Sequence, residues 1–462
     1  MSRWNSRQAI TRISVCGFKA LAEETAIAIR PLTLLAGANS SGKSSLMQPL
    51  LLLKQTLESS YNFGPLVLNG AHVKFTAFEQ TLSHCHADKA SHSWRVQLSF
   101  SSGRSFATEI AKDSAGKLEV RRTEYQARAR ESENLRISLE AGAKPAELQA
   151  QLAASKAWKR IQRQTEWLRD FLAKHNDHEG FLKGSSEPQL VTTEQWFYRV
   201  PALQYERGDE TVIDEVFSDF GELDLDDFNP AIQSLIHVPG LRDNPERSYP
   251  LTAVGREFPG TFEKYTASVI RDWQNRGDGR LQALGQALEK LGLTWNVEAR
   301  QLNDVQVELR VNSRPREAQF QDMVSIADVG IGVSQVLPVV VALLVAEPGQ
   351  LVYLEQPELH LHPRAQAALG DLLADAARRD VRVVVETHSD LLLRRLQTLI
   401  AEEQLEAKLV ELHWFTRDRD GVTHVSSSEF DAAGGLGDAP IDFSDTILSE
   451  ESRYLDAALR QL

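Results

Sequence analysis

GANSSGKS, residues 37–44, is the stretch of sequence that decides the fold. It follows a short apolar run at residues 32–36, which predicts a buried strand, and it opens residues 44–57, which predict a long helix. The stretch matches the pattern G-x-x-x-x-G-K-[ST], for which ordinary residue frequencies give about 0.02 chance matches in a chain of this length. A strand, a glycine-rich turn and a helix in this order predict a phosphate-binding loop.

The residue types of this loop suit a nucleotide phosphate. Glycines let the backbone curl so that successive N–H groups point inward as an anion nest, and the helix that follows adds its N-terminal dipole. Lys43 is expected to reach the β- and γ-phosphates of ATP, and the Ser44 hydroxyl to bind Mg²⁺. The residues that we assign to nucleotide binding in this loop are Gly37, Asn39, Ser40, Ser41, Gly42, Lys43, Ser44 and Ser45.

Two later apolar runs end in acidic residues. Residues 351–354 lead into Glu355 and Gln356, and residues 381–385 lead into Glu386. A phosphate loop needs an acidic strand end of this kind to hold the metal and orient a water molecule. From residue 351 to residue 415, strand and helix patterns alternate, which predicts an α/β fold with a parallel sheet covered by helices.

Composition limits the classes of protein to consider. The chain of 462 residues carries 51 basic and 64 acidic residues, a net charge of −13, so nucleic acid could bind only at a local basic face. Its two cysteines favour a reducing, cytoplasmic setting. The longest apolar run, residues 336–346, is too short to span a bilayer and predicts a buried helix, so we expect no membrane partner.

Composition also changes along the chain. Residues 117–180 are rich in Ala, Glu, Gln, Lys and Arg, which is helix composition, and Pro145 is expected to begin a helix that runs to about residue 173. Whether this arm is merely solvated or contacts a partner or DNA is open. The predicted division is an N-terminal ATPase lobe at residues 1–115, a helical insertion at 116–230, a C-terminal ATPase lobe at 231–425 and a small extension at 426–462.

Four segments together carry a family resemblance: residues 37–44, DVGIGVSQVLP at 328–338, EQPELHLHP at 355–363 and ETHS at 386–389. In this order they resemble the ABC-type ATPases of the SMC and OLD-like branch. More narrowly, they resemble bacterial AAA-family ATPases with a small C-terminal domain of unknown function, which often lie in anti-phage defence loci. The resemblance covers residues 1–100 and 230–462. It implies a P-loop ATPase head that is interrupted by a helical, coiled-coil-like insertion.

The resemblance also implies a role for each segment. Residues 37–44 are its Walker A loop, and residues 328–335 are its signature segment, which contacts the γ-phosphate held by a second subunit. Two subunits would thus enclose two nucleotides in a homodimer or higher homo-oligomer. A separate effector protein, a nuclease or a toxin, is the implied partner in defence. The residues implied outside the phosphate loop are Gly332, Ser334 and Gln335 of the signature, Glu355 and Gln356 of Walker B, and the switch histidine His388.

The acidic strand end departs from the usual Asp-Glu pair of ABC ATPases. Glu355 takes the position of the metal-side residue, and Gln356 takes the catalytic position. A glutamine can orient water but cannot take its proton as a carboxylate can, so Glu358 or Glu386 would have to act as the base. One hypothesis is therefore a slow ATPase, and the alternative is an ATP-gated scaffold or DNA clamp that does not hydrolyse ATP.

A third hypothesis is a metal-dependent nuclease that uses His360 and His362 with the neighbouring carboxylates. The pattern His-x-His does occur in metal sites. In the family that the chain resembles, however, His-Leu-His-Pro simply follows Walker B. Asp418 to Gly421 predicts a hairpin turn rather than part of a nuclease domain. The sequence therefore favours an ATPase without a nuclease of its own.

Overall fold

The computed structural model describes residues 8–59, 64–85, 91–127, 135–153, 163, 166, 189–195, 197–207, 210–215, 228–318, 320–437 and 453. Its strands are β1 (Ile10–Cys16), β2 (Thr25–Ala28), β3 (Leu32–Gly37), β4 (Ser93–Phe100), β5 (Ser105–Lys112), β6 (Leu118–Ala127), β7 (Leu135–Glu140), β8 (Gln189–Gln195), β9 (Tyr198–Arg207), β10 (Glu210–Glu215), β11 (Ile236–Val238), β12 (Tyr249–Pro250), β13 (Val297–Asn303), β14 (Gln306–Asn312), β15 (Met323–Ser325), β16 (Leu351–Glu355), β17 (Arg382–Glu386), β18 (Val410–Arg417) and β19 (Thr423–Glu429). Its α-helices are α1 (Lys43–Leu57), α2 (Pro145–Leu152), α3 (Phe228–Gln233), α4 (Thr266–Arg276), α5 (Gly279–Lys290), α6 (Ile331–Val345), α7 (Pro363–Arg378) and α8 (Asp390–Ala401).

The chain forms two compact units. The first contains Ile27–Ser44 and Ser234–Leu462, and the second contains Asn5–Ala26 and Ser45–Gln233. The phosphate-loop strand β3 thus belongs to the same unit as β16 and β17, whereas the sequence had assigned them to separate lobes.

The first unit is built on a six-stranded sheet with the order β11-β16-β17-β3-β18-β19. All its strand pairs are parallel except the terminal hairpin of β18 and β19. The inner strands read as continuous Leu and Val runs because both faces of the sheet are covered, and every residue of β3 is buried. The alternating strands and helices predicted from residue 351 onward are confirmed, as is the hairpin turn at Asp418 to Gly421.

Local sequence signals set the ends of the helices around this sheet. In α7, Pro363 stands at the first turn, where no N–H is needed, and the His362 ring accepts a hydrogen bond from the backbone N–H of Arg364. In α8, the Ser389 hydroxyl accepts from the N–H of Leu392 in the same way. The apolar run predicted to be a buried helix is α6, whose residues from Val336 to Leu343 are all buried.

A smaller antiparallel sheet, β12-β14-β13 with β15 beside β14, packs in the same unit with α4 and α5. Gly277, in the left-handed conformation, ends α4, and the Asp278 carboxylate then caps α5 by accepting from the N–H of Arg280. The resulting apolar core is continuous from the smaller sheet to the larger one through the side chains of α6.

The second unit is largely antiparallel. One sheet has the order β2-β1-β4-β5-β6-β7, with β2 at the point where the chain passes to the first unit, and another has the order β10-β9-β8. In β4, buried and half-buried residues alternate, as one covered face requires.

The helical interpretation of residues 118–127 and 135–140 is wrong, because β6 and β7 occupy them. The many charged residues that suggested a helix instead pair across strands: Glu124 lies 3.1 Å from Arg95 and 2.9 Å from Arg136. Such cross-strand pairs stabilise a sheet in spite of a helical composition. The helix predicted from Pro145 is confirmed over Pro145–Leu152, and most of its predicted continuation lies outside the described residues.

Among the residues that the structure describes, no helix has the length and apolar composition to cross a membrane.

Candidate nucleotide-binding site

The loop between β3 and α1 has the backbone of an anion-binding turn. Gly37, Ser40 and Gly42 all have positive φ angles, of 138°, 61° and 101°. A Cβ atom at Gly42 would collide with the Thr423 hydroxyl, which donates a 2.8 Å hydrogen bond to the carbonyl of Ser41. The loop is thus fixed from below by β19, and it needs glycine at this position for both steric and conformational reasons.

The Lys43 ammonium group lies folded over this loop. Its Nζ donates to the carbonyl of Gly37 at 2.9 Å and to that of Ala38 at 2.7 Å. Burial lowers the pKa of Lys43, while the nearby Glu386 carboxylate opposes that change. The ammonium group is therefore held against the backbone of the loop, in which Asn39 and Ser40 are exposed.

Ser44 is the first contact between the loop and the acidic strands. Its hydroxyl donates a 2.8 Å hydrogen bond to Glu386 Oε2, and Ser45 follows it on α1. Glu386 ends β17, the strand next to β3, so the sheet order brings them together. Sequence reasoning gave the metal-side position to Glu355, but Ser44 bonds to the carboxylate one strand closer.

Glu386 is buried, and its second oxygen accepts a hydrogen bond from the Tyr353 hydroxyl. Burial raises the pKa of Glu386 to about 7, and the charge of Glu355 adds to this effect, while the hydrogen bonds from Tyr353 and Ser44 oppose it. Near neutral pH this carboxyl group therefore exchanges a proton. Sequence reasoning missed Tyr353, although it is the one hydroxyl-bearing residue in the apolar run of β16.

Glu355 stands beside Glu386, because β16 and β17 pair in register at these two residues. Its carboxylate contacts the ring Nε2 of His237 at 3.2 Å and accepts from the N–H of Gly240 at 3.0 Å. Burial alone would raise the pKa of Glu355, but the hydrogen bond and charge of His237 and the Gly240 N–H lower it overall. The two neighbouring carboxyl groups thus differ in their affinity for a proton, as in acid–base sites.

Gln356 follows Glu355 in a strained backbone conformation. Its φ angle is +41°, and its N–H donates to the carbonyl of Glu386 at 2.9 Å. A non-glycine residue with positive φ persists only where the surroundings hold it there, and such residues cluster at functional sites. The backbone of Gln356 is therefore held in place at the end of β16, and this fixes the position from which its half-buried side chain extends.

Glu358 links the loop after β16 to the loop after β17. Its Oε1 accepts hydrogen bonds from the Thr387 hydroxyl at 2.8 Å and from the backbone N–H of His388 at 2.7 Å. The side chain is buried, and its Oε2 has no hydrogen-bond partner among the residues that the structure describes. Burial raises the pKa of Glu358. The group is a held carboxylate with one oxygen left for a further partner.

His388 has an exposed side chain and a fixed backbone. Partial burial lowers the pKa of its ring, and the charge of Lys43 lowers it further. The ring is therefore neutral at pH 7 and lies within electrostatic range of the phosphate-loop lysine.

The signature segment begins α6 and contacts two loops. Arg247 holds Asp328 through two hydrogen bonds of 2.7 and 3.1 Å, and buried Gln335 donates to the carbonyl of Asp243 at 3.2 Å. The Ser334 hydroxyl turns back to the carbonyl of Ile331 at 2.8 Å. In the described part of the chain, no hydrogen bond or ion pair joins this segment to the phosphate loop, so Ser334 does not meet the loop of its own chain.

Gly332, the remaining signature residue, faces the loop after β16: a Cβ atom there would lie 3.5 Å from the carbonyl of His360. The histidines themselves do not form a metal site. Both His360 and His362 are exposed, and His362 caps α7. Within the described ranges, no group of three His, Cys, Asp or Glu residues is placed to hold a metal ion. The arrangement gives the nuclease hypothesis no support.

The part of the chain that matches a known protein family contains the elements of this site. Residues 32–394 match the family described as "AAA domain, putative AbiEii toxin, Type IV TA system", and this range includes the loop, the signature and both acidic strand ends. The chain belongs to this family. It is accordingly an α/β P-loop protein of the AAA-domain family, as its resemblance to ABC and SMC ATPases predicted.

Three solved SMC head domains are similar to this AAA-domain chain, each at 12% identity. One is an SMC head bound to the C-terminal winged-helix domain of ScpA (TM-score 0.47, covering 92% of this chain and 99% of that chain). Another is the SMC head domain from Thermotoga maritima (0.34, 90% and 98%). The third is an Smc head with an extended coiled coil bound to the C-terminal domain of ScpA, from Pyrococcus furiosus (0.43, 96% and 99%). No curated protein matches the chain.

Proposed function

We propose that this protein is a slow Mg²⁺-dependent ATPase that uses ATP to join two copies of itself. The observation that carries the proposal is the meeting of Lys43, Ser44 and Glu386 at one strand edge, with Ser44 and Glu386 2.8 Å apart. A backbone nest, an ammonium, a hydroxyl and a carboxylate are the groups that hold a nucleotide triphosphate with its metal. The donor set of Ser44, Glu386 and Glu355 fits Mg²⁺, which prefers oxygen ligands.

Each residue of the site has a separate role in this proposal. Ser44, Glu386 and Glu355 would hold Mg²⁺, which would neutralise charge at the phosphates. Glu386, with a pKa of about 7, would hold the metal in its ionised form. Glu355, whose pKa is lowered, would be ionised and would orient a water molecule. Lys43 turns from the loop carbonyls to the phosphate oxygens. Gln356 orients the attacking water, as an amide can do without taking its proton.

We propose that Glu358 is the general base that takes the proton of that water molecule. Two donors fix its Oε1, its Oε2 has no partner, and burial raises its pKa towards the range in which a general base works well. Glu386 is the second candidate for the base, although its bond to Ser44 favours a place beside the metal. Slow turnover follows, because a base that acts at a distance from the Walker B position is not optimally placed.

Dimerisation is supported by the surface around the strand ends. Leu241, next to the Gly240 that bonds Glu355, is 89% exposed, and Ile331, at the start of the signature helix, is 42% exposed. Large apolar side chains exposed beside a site are typical of an interface. A second copy that brings Ser334 to the phosphate would cover both. The finer assignment, a cytoplasmic sensor ATPase of the OLD-like branch in anti-phage defence with a separate nuclease or toxin as effector, rests on the family resemblance.

The test is steady-state hydrolysis of Mg²⁺-ATP by the purified protein, with Lys43→Ala as the background. We expect wild type to exceed Lys43→Ala, and Glu358→Gln to fall to that background while still binding ATP. Glu317→Gln, an exposed loop change, is the matched control and should match wild type. If Glu386→Gln loses turnover and Glu358→Gln retains it, the base assignment is wrong.

Gln356 favours one second candidate, an ATP-gated scaffold or DNA clamp. Turnover of wild type equal to that of Lys43→Ala, together with ATP-dependent dimerisation measured by light scattering, would support it. Restoring the usual acidic residue with Gln356→Glu should then raise turnover. Neither turnover nor ATP-dependent dimerisation, in the presence of measurable ATP binding, would contradict both candidates.

A further inference from the structure

A cavity of about 460 Å³ lies in the first unit beside the signature helix α6. Its volume falls in the range of small-molecule sites. Its walls come from the loop after β11, from β12, from the start of α4, and from α6. Its lining includes Arg242, Glu263 and Thr266, together with Leu337 and Pro338 of α6.

Several buried polar atoms of this wall have no hydrogen-bond partner among the described residues. Arg242 is only 9% exposed, and within the described part of the chain its Nε and Nη2 are unpartnered, while Nη1 donates to the carbonyl of Pro239 at 3.0 Å. Thr266 Oγ1 and Glu263 Oε2 are likewise buried without a partner among these residues. Buried polar groups are normally satisfied, because leaving one unpaired is costly. Their concentration in residues around one cavity indicates a polar ligand.

In the part of the chain that the structure describes, the unpartnered groups of the wall thus combine the Nε and Nη2 donors of Arg242 with the Glu263 carboxylate and the Thr266 hydroxyl.

The charges of the wall restrict the ligand. Arg242 and Lys264 are basic, while Asp243, Glu246 and Glu263 are acidic. The wall therefore carries one more acidic than basic residue, which disfavours binding of a polyanion such as a nucleoside triphosphate. The Nε and Nη2 groups of an arginine form the fork that holds a carboxylate with two parallel hydrogen bonds. A free Glu263 oxygen is suited to an ammonium group, so a molecule with both groups would leave the net charge of the site unchanged.

We propose that this cavity binds a small zwitterion of the α-amino-acid class, with its carboxylate on the Arg242 fork and its ammonium on Glu263. The remaining wall is apolar, with four prolines, two tyrosine rings, Leu309, Ile326 and Leu337. An apolar or aromatic side chain fits this surface better than a charged one. The described residues that line the cavity include none of the phosphate loop, so ligand binding does not require that the protein hydrolyse ATP. The charge of Arg242 nevertheless interacts with Glu355 and Glu358.

The experiment is isothermal titration of the full chain with each of the twenty common amino acids, with guanine, adenine and inorganic phosphate as further probes. At least one apolar or aromatic amino acid should bind in the micromolar to millimolar range. Arg242→Lys, which keeps the charge but loses the fork, should weaken binding by tenfold or more. Thr266→Val, an isosteric change, should weaken it several-fold, and Thr398→Val on the exposed face of α8 should not.

Thr252 gives a test that does not depend on buried substitutions. Its side chain is exposed at the rim of the cavity, so Thr252→Trp should block entry while the fold is kept, as circular dichroism would verify. Lys43→Ala should bind the amino acid as wild type does, which separates this proposal from the ATPase. Binding of no amino acid, binding of phosphate or a base alone, or binding that Arg242→Lys and Thr252→Trp leave unchanged would overturn it.

Discussion

Replacing Glu386 with glutamine should change the stability of the protein in a pH-dependent way. The folded chain holds the pKa of this carboxyl group at about 7, against an ordinary value of 4.5. Since the folded state binds the proton more tightly, its favourable contribution is complete below pH 4.5 and is lost as the pH rises through 7. A difference of about 2.5 between the folded and unfolded pKa values corresponds to roughly 3 kcal/mol in the free energy of unfolding.

Glutamine resembles the protonated carboxyl group and cannot ionise. Glu386→Gln should therefore match wild type below about pH 4.5, and the difference should grow until its free energy of unfolding exceeds that of wild type by up to about 3 kcal/mol at pH 8.5. The assay is urea denaturation of both proteins in EDTA, without nucleotide, at half-unit steps from pH 5 to pH 8.5. Glu317→Gln, at an exposed position, is the control and should show no pH-dependent difference. A difference between Glu386→Gln and wild type that is constant with pH would refute the reasoning.

Two further substitutions test the surroundings of the site. Gly42→Ala should lower the free energy of unfolding by about 2 kcal/mol or more, because the added Cβ meets Thr423 at a φ of +101°; thermal denaturation measures this. Thr387→Val should cost about 1–2 kcal/mol, because it removes one of the donors to the buried Glu358 carboxylate; urea denaturation measures this, and turnover should fall with it.

Each of these has a matched control. Gly277 also has a positive φ angle, of +61°, but a Cβ atom added there would have nothing within 4 Å. Gly277→Ala should therefore show the cost of backbone strain alone, with a smaller loss of stability than Gly42→Ala. Thr398→Val removes an exposed hydroxyl that bonds within its own helix and should be close to neutral. Equal losses in the two glycine variants would mean that contact with Thr423 is unimportant.

The local parts of the site could be predicted from the sequence. The phosphate loop is one continuous motif with its strand and helix attached, and the acidic ends of β16 and β17 follow apolar runs that are easy to recognise. The bond from Ser44 to Glu386 could not be predicted, because it depends on β17 rather than β16 lying next to β3. Sheet order is a long-range property that strand patterns do not contain.

The wrong prediction of helix at residues 118–127 and 135–140 has a different cause. Charged residues with good helix propensity occupy both β6 and β7, and their partners lie on neighbouring strands. The strand signal was present but weak: Val120, Thr123 and Tyr125 are buried between charged neighbours, with a register shift on the paired strand. Strand propensity depends on such cross-strand contacts more than helix propensity does, so composition alone misled the prediction.

The position of β3 has a consequence for how the protein is made. Both neighbours of this strand, β17 and β18, are synthesised some 350 residues or more after it, and the side chain of Arg30 at its start bonds Glu411, 381 residues later. A growing chain that has reached residue 380 holds the whole GANSSGKS loop but neither strand that supports it. Contacts so distant in sequence form late and slowly. A truncated product that ends there therefore carries the motif without the two strands beside it, and we expect it not to bind a nucleotide.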